Sequence, residues 1–277
     1  MGGMVVPGRP SRRAGSLQAM VGPGPLTWRV NGEAVLLLGG GRALILQVAH
    51  PEVAAGVAEF SDYRREPWRR LYRTVDTTLK IVFGDPLSAR AASERLRRVH
   101  ERVAGTNDRG EPYRALDPEL LMWVHATLID TSLTIYERYV KPLSTTEVDG
   151  YYEEMKLLGE AYSIPRDAMP PDYACFRRYW DSMLDSGLRI TETTWDVAHA
   201  VLRPDLSPLA WPAVELLRLV TVGLLPPGLR AELGLSWSPG RERALAGSQL
   251  AARRLLPLLP ALVRRFPNAR TGILRAA

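Results

Sequence analysis

Apolar residues recur along this chain at intervals of three and four, the spacing that lines one face of an α-helix, and strand-like alternation is nearly absent. Two segments show it most plainly. From Pro86 to about Ala104, Ala92, Leu96, Val99 and Val103 fall on one stripe; from Pro118 to Tyr139 the same spacing joins Leu121, Val124, Leu128, Ser132 and Ile135. Each segment opens on Asp-Pro, an N-cap acid before a proline at the first helical position, where its missing N–H costs nothing (Asp85-Pro86, Asp117-Pro118). Ser144 to Glu147 (STTE) has capping-box spacing ahead of a helix to about Tyr162. Further helices are expected near Pro171, from Thr191 to Leu202, from Leu209 to Leu225 and from Gly240 to Phe266. The pattern predicts an all-α protein of about ten helices, with no internal repeat and one domain over 26–277. Residues 1–25 are expected to form a flexible leader, since they lack the apolar core of a signal peptide.

One stretch resists that reading at first. VLLLGGGRALILQVAHPEVAAG, Val35 to Gly56, looks like a strand feeding a phosphate-cradling loop. A P-loop needs Lys and Ser or Thr after its glycines, and a dinucleotide fold needs alternating strands and helices; here Arg42, Ala43 and Leu44 follow, in helical surroundings. The nucleotide reading therefore falls. Glycines inside a helix each cost close to 1 kcal/mol relative to alanine, so a run of them is tolerated where backbone must pack closely, against another helix or a flat ligand.

Composition narrows the picture. A chain of 277 residues, 46% apolar and 24% charged, has ample interior for a cofactor-sized pocket. The net charge of +6 raises the question of nucleic acid, but the arginines are spread along the chain beside acids (Glu94 with Arg97 and Arg98), without an aromatic-interleaved basic block. No nucleic-acid partner is expected. Cys175, the sole cysteine, excludes an internal disulfide or CxxC motif and fits a cytoplasmic location. The longest apolar runs, Val35 to Ala49 and Leu255 to Val263, are broken by Arg42 or prolines and too short to span a bilayer.

The candidate chemistry is sparse. The histidines are His50, His100, His125 and His199, without HxxxH or HExxH spacing. Asp196 and His199 stand at i, i+3 and could join a non-haem iron site, but no second such pair exists. There is no Gly-x-Ser-x-Gly elbow, and Cys175 reads as a small helix residue rather than a nucleophile. A haem asks only one histidine of the protein. His100 lies on the edge of its helix's apolar stripe with Arg97 one turn before it, and RRLYRT upstream sets Arg70 and Thr74 on one face with Arg73 beside them.

Taken together, Arg70-x-x-Arg73-Thr74 followed about one helix later by Arg97-x-x-His100 resembles the core of a haem b oxygenase family, which includes the bacterial latex-clearing rubber oxygenase and the fungal MpaB-type oxygenases. LLLGGGRALILQVAHPEVA, FGDP, HERVAGT, DPELLMWVHATLIDTSL and LPPGLRAELGL look like family segments too, so the resemblance covers roughly 33–266. It implies a globin-like helical core around a haem pocket, haem b as cofactor, and dioxygen with a hydrophobic or aromatic small molecule as substrates. His100 would be the iron ligand, with Arg97 a nearby positive group. Thr74 and Arg73 would face the distal side with Arg70 close by, and Arg70, Arg97 and Arg42 would pair with haem propionates. The rubber oxygenase has a lysine at the position of Arg73; an always-protonated arginine cannot replace it as an iron ligand. That enzyme's distal acid has no clean counterpart, and Glu52, Glu59 and His50 are the nearby candidates, His50 as a hydrogen-bond donor or proton shuttle. His125, in the most apolar helix, needs a partner and competes for the axial or propionate role. Beside this stand a haem-free helical ligand-binding protein and a non-haem iron enzyme built on Asp196 and His199.

Overall fold

The computed structural model describes residues 25–61, 67–204, 207–267 and 269, and of residues 67–73 and 208 it describes the backbone alone. The expected leader lies outside the described residues apart from Pro25.

The helical pattern resolves into thirteen α-helices among the described residues, an all-α fold: α1 (Leu26–Asn31), α2 (Gly40–Val48), α3 (Pro51–Phe60), α4 (Pro67–Phe83), α5 (Pro86–His100), α6 (Pro118–Tyr139), α7 (Thr145–Ala161), α8 (Tyr173–Ser182), α9 (Glu192–Leu202), α10 (Trp211–Leu224), α11 (Pro227–Glu232), α12 (Pro239–Leu255) and α13 (Ala261–Arg264). The excess over ten is α1, α11 and α13, of four to six residues, too short to leave a periodic signature. A small antiparallel hairpin, β1 (Ala104–Thr106) and β2 (Pro112–Arg114), pairs Gly105 with Tyr113.

The caps explain where the helices start. Asp85 accepts from the backbone N–H of Leu87 and of Ser88, both at 3.0 Å. Ser144 and Glu147 form the expected capping box on α7, and Thr191 with Thr194 forms another on α9. Asp117 departs from expectation: its carboxylate accepts from Arg114 N at 3.0 Å, closing the turn after β2, and makes no side-chain cap on α6. The helix from Pro86 ends at His100, not Ala104, because the chain turns there into β1; Val99 is exposed, and only Ala92 and Leu96 of its stripe pack on the core. The helix expected from Gly240 to Phe266 is cut by Pro257 and Pro260 into α12, a 3-10 turn (Leu256–Leu258) and α13.

Helix α6 is the centre of the molecule. Trp123, Ala126, Ile129 and Leu133 are buried on several sides of it, which makes it an interior helix rather than one with a single buried face. Leu128 and Ser132, in the middle of the predicted stripe, are less buried because that side opens on a cavity. Across from it, the glycine stretch forms a 3-10 turn (Ala34–Gly39) running into α2. A Cβ on Gly39 would lie 2.5 Å from Thr131 Cγ2 and 2.9 Å from Ile135 Cγ1, so this turn can approach α6 only without a side chain. Gly41 meets Thr221 of α10 in the same way. Among the described residues no single helix is long and apolar enough to cross a membrane; the Ala34–Val48 segment and α3 meet that length and composition only together, bent by 105°.

Candidate active site

The cavity beside α6 is walled by the glycine turn and α2, by α4, α7 and α9, and by Phe266 near the C-terminus. Its volume is about 190 Å³, comparable with cavities of roughly 150 Å³ that admit a benzene-sized guest. Leu36, Leu44, Leu79, Val82, Phe83 and Leu128 make the wall apolar, and Gly39 and Gly40 present bare backbone to it. A few polar groups interrupt that surface: Thr74 and Thr78 on α4, Gln47 on α2 and Ser132 on α6. Tyr162 donates to Thr78 at 3.5 Å, and Gln47 donates to Thr127 at 3.1 Å, so part of the polar rim is already oriented. This is the composition of a site for a small hydrophobic molecule held by one or two hydrogen bonds.

Of the residues singled out in the sequence, Thr74 lines the cavity and is exposed toward solvent. The side chains of Arg70 and Arg73 lie outside the described residues, but their backbone belongs to α4, four residues and one residue before Thr74. Helices α4 and α5 form a hairpin through Gly84 and Asp85 and pack on each other. At 1.5 Å per residue, Arg70 stands about 21 Å and His100 about 22 Å from that turn, so both lie at the open end of the hairpin.

His100 does not line the cavity. It ends α5, where burial holds its pKa below the ordinary histidine value, and its Nδ1 is buried without a hydrogen-bond partner. A neutral imidazole with an unengaged buried nitrogen is an exception that asks for a ligand or a metal. Arg97, one turn earlier, is exposed and paired with Glu101 at 3.0 Å.

The other named residues are engaged elsewhere. Arg42 is buried: its Nη2 is 2.8 Å from Asp130, its Nη1 donates to Thr131 at 2.7 Å and its Nε to the Leu224 carbonyl at 2.7 Å. Its carboxylate partner is thus Asp130, which also takes Arg177 at 2.7 Å. Burial lowers the Arg42 pKa from its usual value, against the opposing pull of Asp130. His125 is fully buried with Nε2 2.8 Å from the Met155 carbonyl and its ring edge-on to Tyr162, while its Nδ1, like that of His100, meets no hydrogen-bond partner; burial pushes its pKa down to about 4. Gly159 makes room for that ring, since a Cβ there would stand 3.3 Å from it.

His50 sits before Pro51 at the start of α3, with Nδ1 2.7 Å from Glu52, outside the cavity wall. Burial lowers its pKa while Glu52 and Glu119 raise it. Glu52 also accepts from Asn107 at 3.0 Å, and Glu59 from the Tyr113 hydroxyl at 3.3 Å, whose pKa is pushed up to about 12 by burial and by Glu59. The three distal candidates of the sequence thus gather against the β-hairpin rather than in the cavity. His199 stacks on Trp195 at 4.8 Å, and among the described residues no three His, Cys, Asp or Glu side chains converge as a metal-ligand group.

Sequence reasoning missed Gln47, Thr78 and Asp130. Asp130 carried a signal: an acid inside the most apolar helix must meet a cation. Gln47 and Thr78 carried none, because their role comes from α2 and α4 both bordering the cavity beside α6.

A family model described as the catalytic domain of ER-bound oxygenase mpaB/B' and rubber oxygenase matches residues 28–258. An uncharacterised protein of Mycobacterium bovis and one of Mycobacterium tuberculosis are each 31% identical over 226 residues, covering 77% of this chain and 87% of the relative. No solved structure matches significantly.

Proposed function

We propose, from the premise that this chain belongs to the mpaB and rubber oxygenase catalytic-domain family, that it is a haem b-dependent oxygenase acting with dioxygen on a hydrophobic or aromatic small molecule. The observation that carries the haem is His100: a neutral, half-buried imidazole whose Nδ1 is covered and meets no partner, at the same end of the α4–α5 hairpin as Arg70 and Arg73, whereas His125, with an unpartnered Nδ1 of its own, is held through Nε2 by the Met155 carbonyl. The donor set fits, since a haem iron needs one neutral imidazole from the protein and its propionates need cations. Arg70 and Arg73 are the cations that the hairpin brings to that end, with Arg97 on its outer face. Arg42 is held by Asp130 and would reach a propionate only by leaving it.

When bound, a haem supplies the redox chemistry that activates dioxygen. The chain supplies the rest. Leu36, Leu79, Val82 and Leu128 exclude water from the cavity and take up an apolar substrate. The Thr74 hydroxyl offers a donor at the cavity wall, in reach of charge that develops on a substrate or oxygen atom. Thr78, held by Tyr162, orients the substrate. His50 with Glu52 forms a proton-exchanging pair nearer the hairpin, a relay rather than a wall residue.

Purification with haem supplied tests the reading. A Soret band that disappears in His100→Ala and survives in His125→Ala supports it. A colourless wild-type preparation overturns it. Bound iron without a Soret band would instead favour a non-haem site at Asp196 and His199.

A further inference from the structure

Residues Leu255 to Val263, LLPLLPALV, carry no charge and lie at the surface: Leu255, Leu258, Leu262 and Val263 are 58%, 77%, 68% and 63% exposed. Apolar surface gathered in one run marks a docking site rather than a scatter of single side chains. The two prolines shape it into a 3-10 turn and a single helical turn, a knuckle projecting at the end of α12.

The charge flanking this knuckle in the sequence is mostly positive, although Arg264 and Arg265 both lie against the buried Glu33 and leave Arg253 and Arg254 as the outward cations. Between Pro239 and Arg265 the sequence has six arginines and one glutamate, and Arg253-Arg254 and Arg264-Arg265 bracket the apolar run on both sides. Arg264 anchors the base: it makes two 2.7 Å bonds to Glu33, which is buried. Arg253 donates to the Glu137 carbonyl without meeting a carboxylate there, and both Arg253 and Arg254 are exposed. Two copies meeting through this face would bring like charges together, which disfavours a dimer. An apolar wedge flanked by arginines is complementary to an anionic lipid surface, where the two signals together give stable binding.

The knuckle also adjoins the cavity. Helix α13 packs on the 3-10 turn Ala34–Gly39, and Phe266 N donates to the Gly32 carbonyl at 3.0 Å. Phe266 lines the cavity, as does Leu37, which is 47% exposed on that turn. Apolar surface therefore adjoins the pocket wall on the knuckle's side, where Leu37 reaches solvent.

We propose that the 253–265 segment docks this protein on an anionic membrane surface, with Leu258 and Leu262 in the interface and Arg253 and Arg254 at the headgroups. The Leu37 side of the cavity then faces the bilayer, and an apolar substrate dissolved there enters past Leu37 and Phe266. The entry route rests on the oxygenase reading; the docking does not.

The test is flotation of the full chain with vesicles of phosphatidylcholine, with and without phosphatidylglycerol. The wild type should float with the anionic vesicles and lose most binding at high salt. Leu258→Asp with Leu262→Asp, both at exposed positions, and separately Arg253→Glu with Arg254→Glu, should each weaken binding by about tenfold or more, with unchanged circular dichroism. A wild type that does not float, or a Leu258/Leu262 variant that binds as well as wild type, overturns the proposal. So does a dimer that the Leu258/Leu262 variant abolishes without any flotation of the wild type, which assigns the patch to a second copy. The two readings fail separately: a colourless protein that floats refutes only the haem, and a haem-loaded protein that stays down refutes only the docking.

Discussion

Arg42 and Asp130 meet at 2.8 Å with side chains only 6% and 8% exposed, locking α2 to α6 one residue from Thr131 on the cavity wall. Asp130→Ala would leave a buried guanidinium without its counter-charge and should destabilise the fold by about 3–5 kcal/mol. Arg42→Met combined with Asp130→Leu should cost much less, because neither charge is then left alone. Urea unfolding of the three proteins decides it. If Asp130→Ala unfolds close to the wild type, the pair does not hold the helices together.

His125 makes stability depend on pH. Its folded pKa of about 4 lies below the ordinary histidine value of 6.5, so between those values the unfolded chain binds a proton that the folded one refuses. The stabilisation is present above about pH 6.5 and is lost as pH falls toward 4, amounting to about 3 kcal/mol at most. His50 and His100, also lowered by burial, act in the same direction. Denaturation series from pH 7 to 4.5 should be flatter for His125→Gln than for the wild type. An unchanged slope would show that His125 is not the group being protonated.

The glycines divide by what surrounds them. Gly39→Val must displace Thr131 or Ile135 and should cost about 1–3 kcal/mol. Gly247, inside α12 with nothing within 4 Å of its Cβ position, should gain up to about 1 kcal/mol on change to alanine. Thermal unfolding reads both, and a neutral Gly39→Val would remove the close approach from the account of this stretch.

Helix content, the caps at Asp85 and Ser144 and the α6 boundaries were legible because they depend on neighbours within one or two turns, whereas the Asp117 carboxylate turns back to Arg114 N instead of capping α6 and the capping box at Thr191 went unread. The glycine stretch was half legible. Its helical setting followed from the residues around it, but a close helix crossing and a ligand wall need glycine equally, and Gly39 serves both. The fate of Arg42 was not legible, since a cation in an apolar stretch announces a buried partner without naming it, and Asp130 lies 88 positions away. His50 and Glu52 were expected beside a distal pocket, yet sequence distance from Arg70 says nothing of the β-hairpin that folds against α3.

Thr74 and His50 were both candidates for the distal role, and their placement separates them: Thr74 lines the cavity, whereas His50 pairs with Glu52 outside its wall. In the haem-loaded protein, Thr74→Val should lower kcat by about tenfold to a hundredfold with little change in KM, as loss of a donor acting on developing charge does. Thr74→Ser keeps the hydroxyl and should restore most of the rate. His50→Gln should leave kcat near the wild-type value at neutral pH and alter the acid side of its pH profile, because a relay matters where proton supply does. Oxygen uptake with a panel of small apolar alkenes and aromatics measures all three. If His50→Gln abolishes turnover while Thr74→Val does not, the distal group stands at the hairpin and the cavity beside α6 serves only to bind.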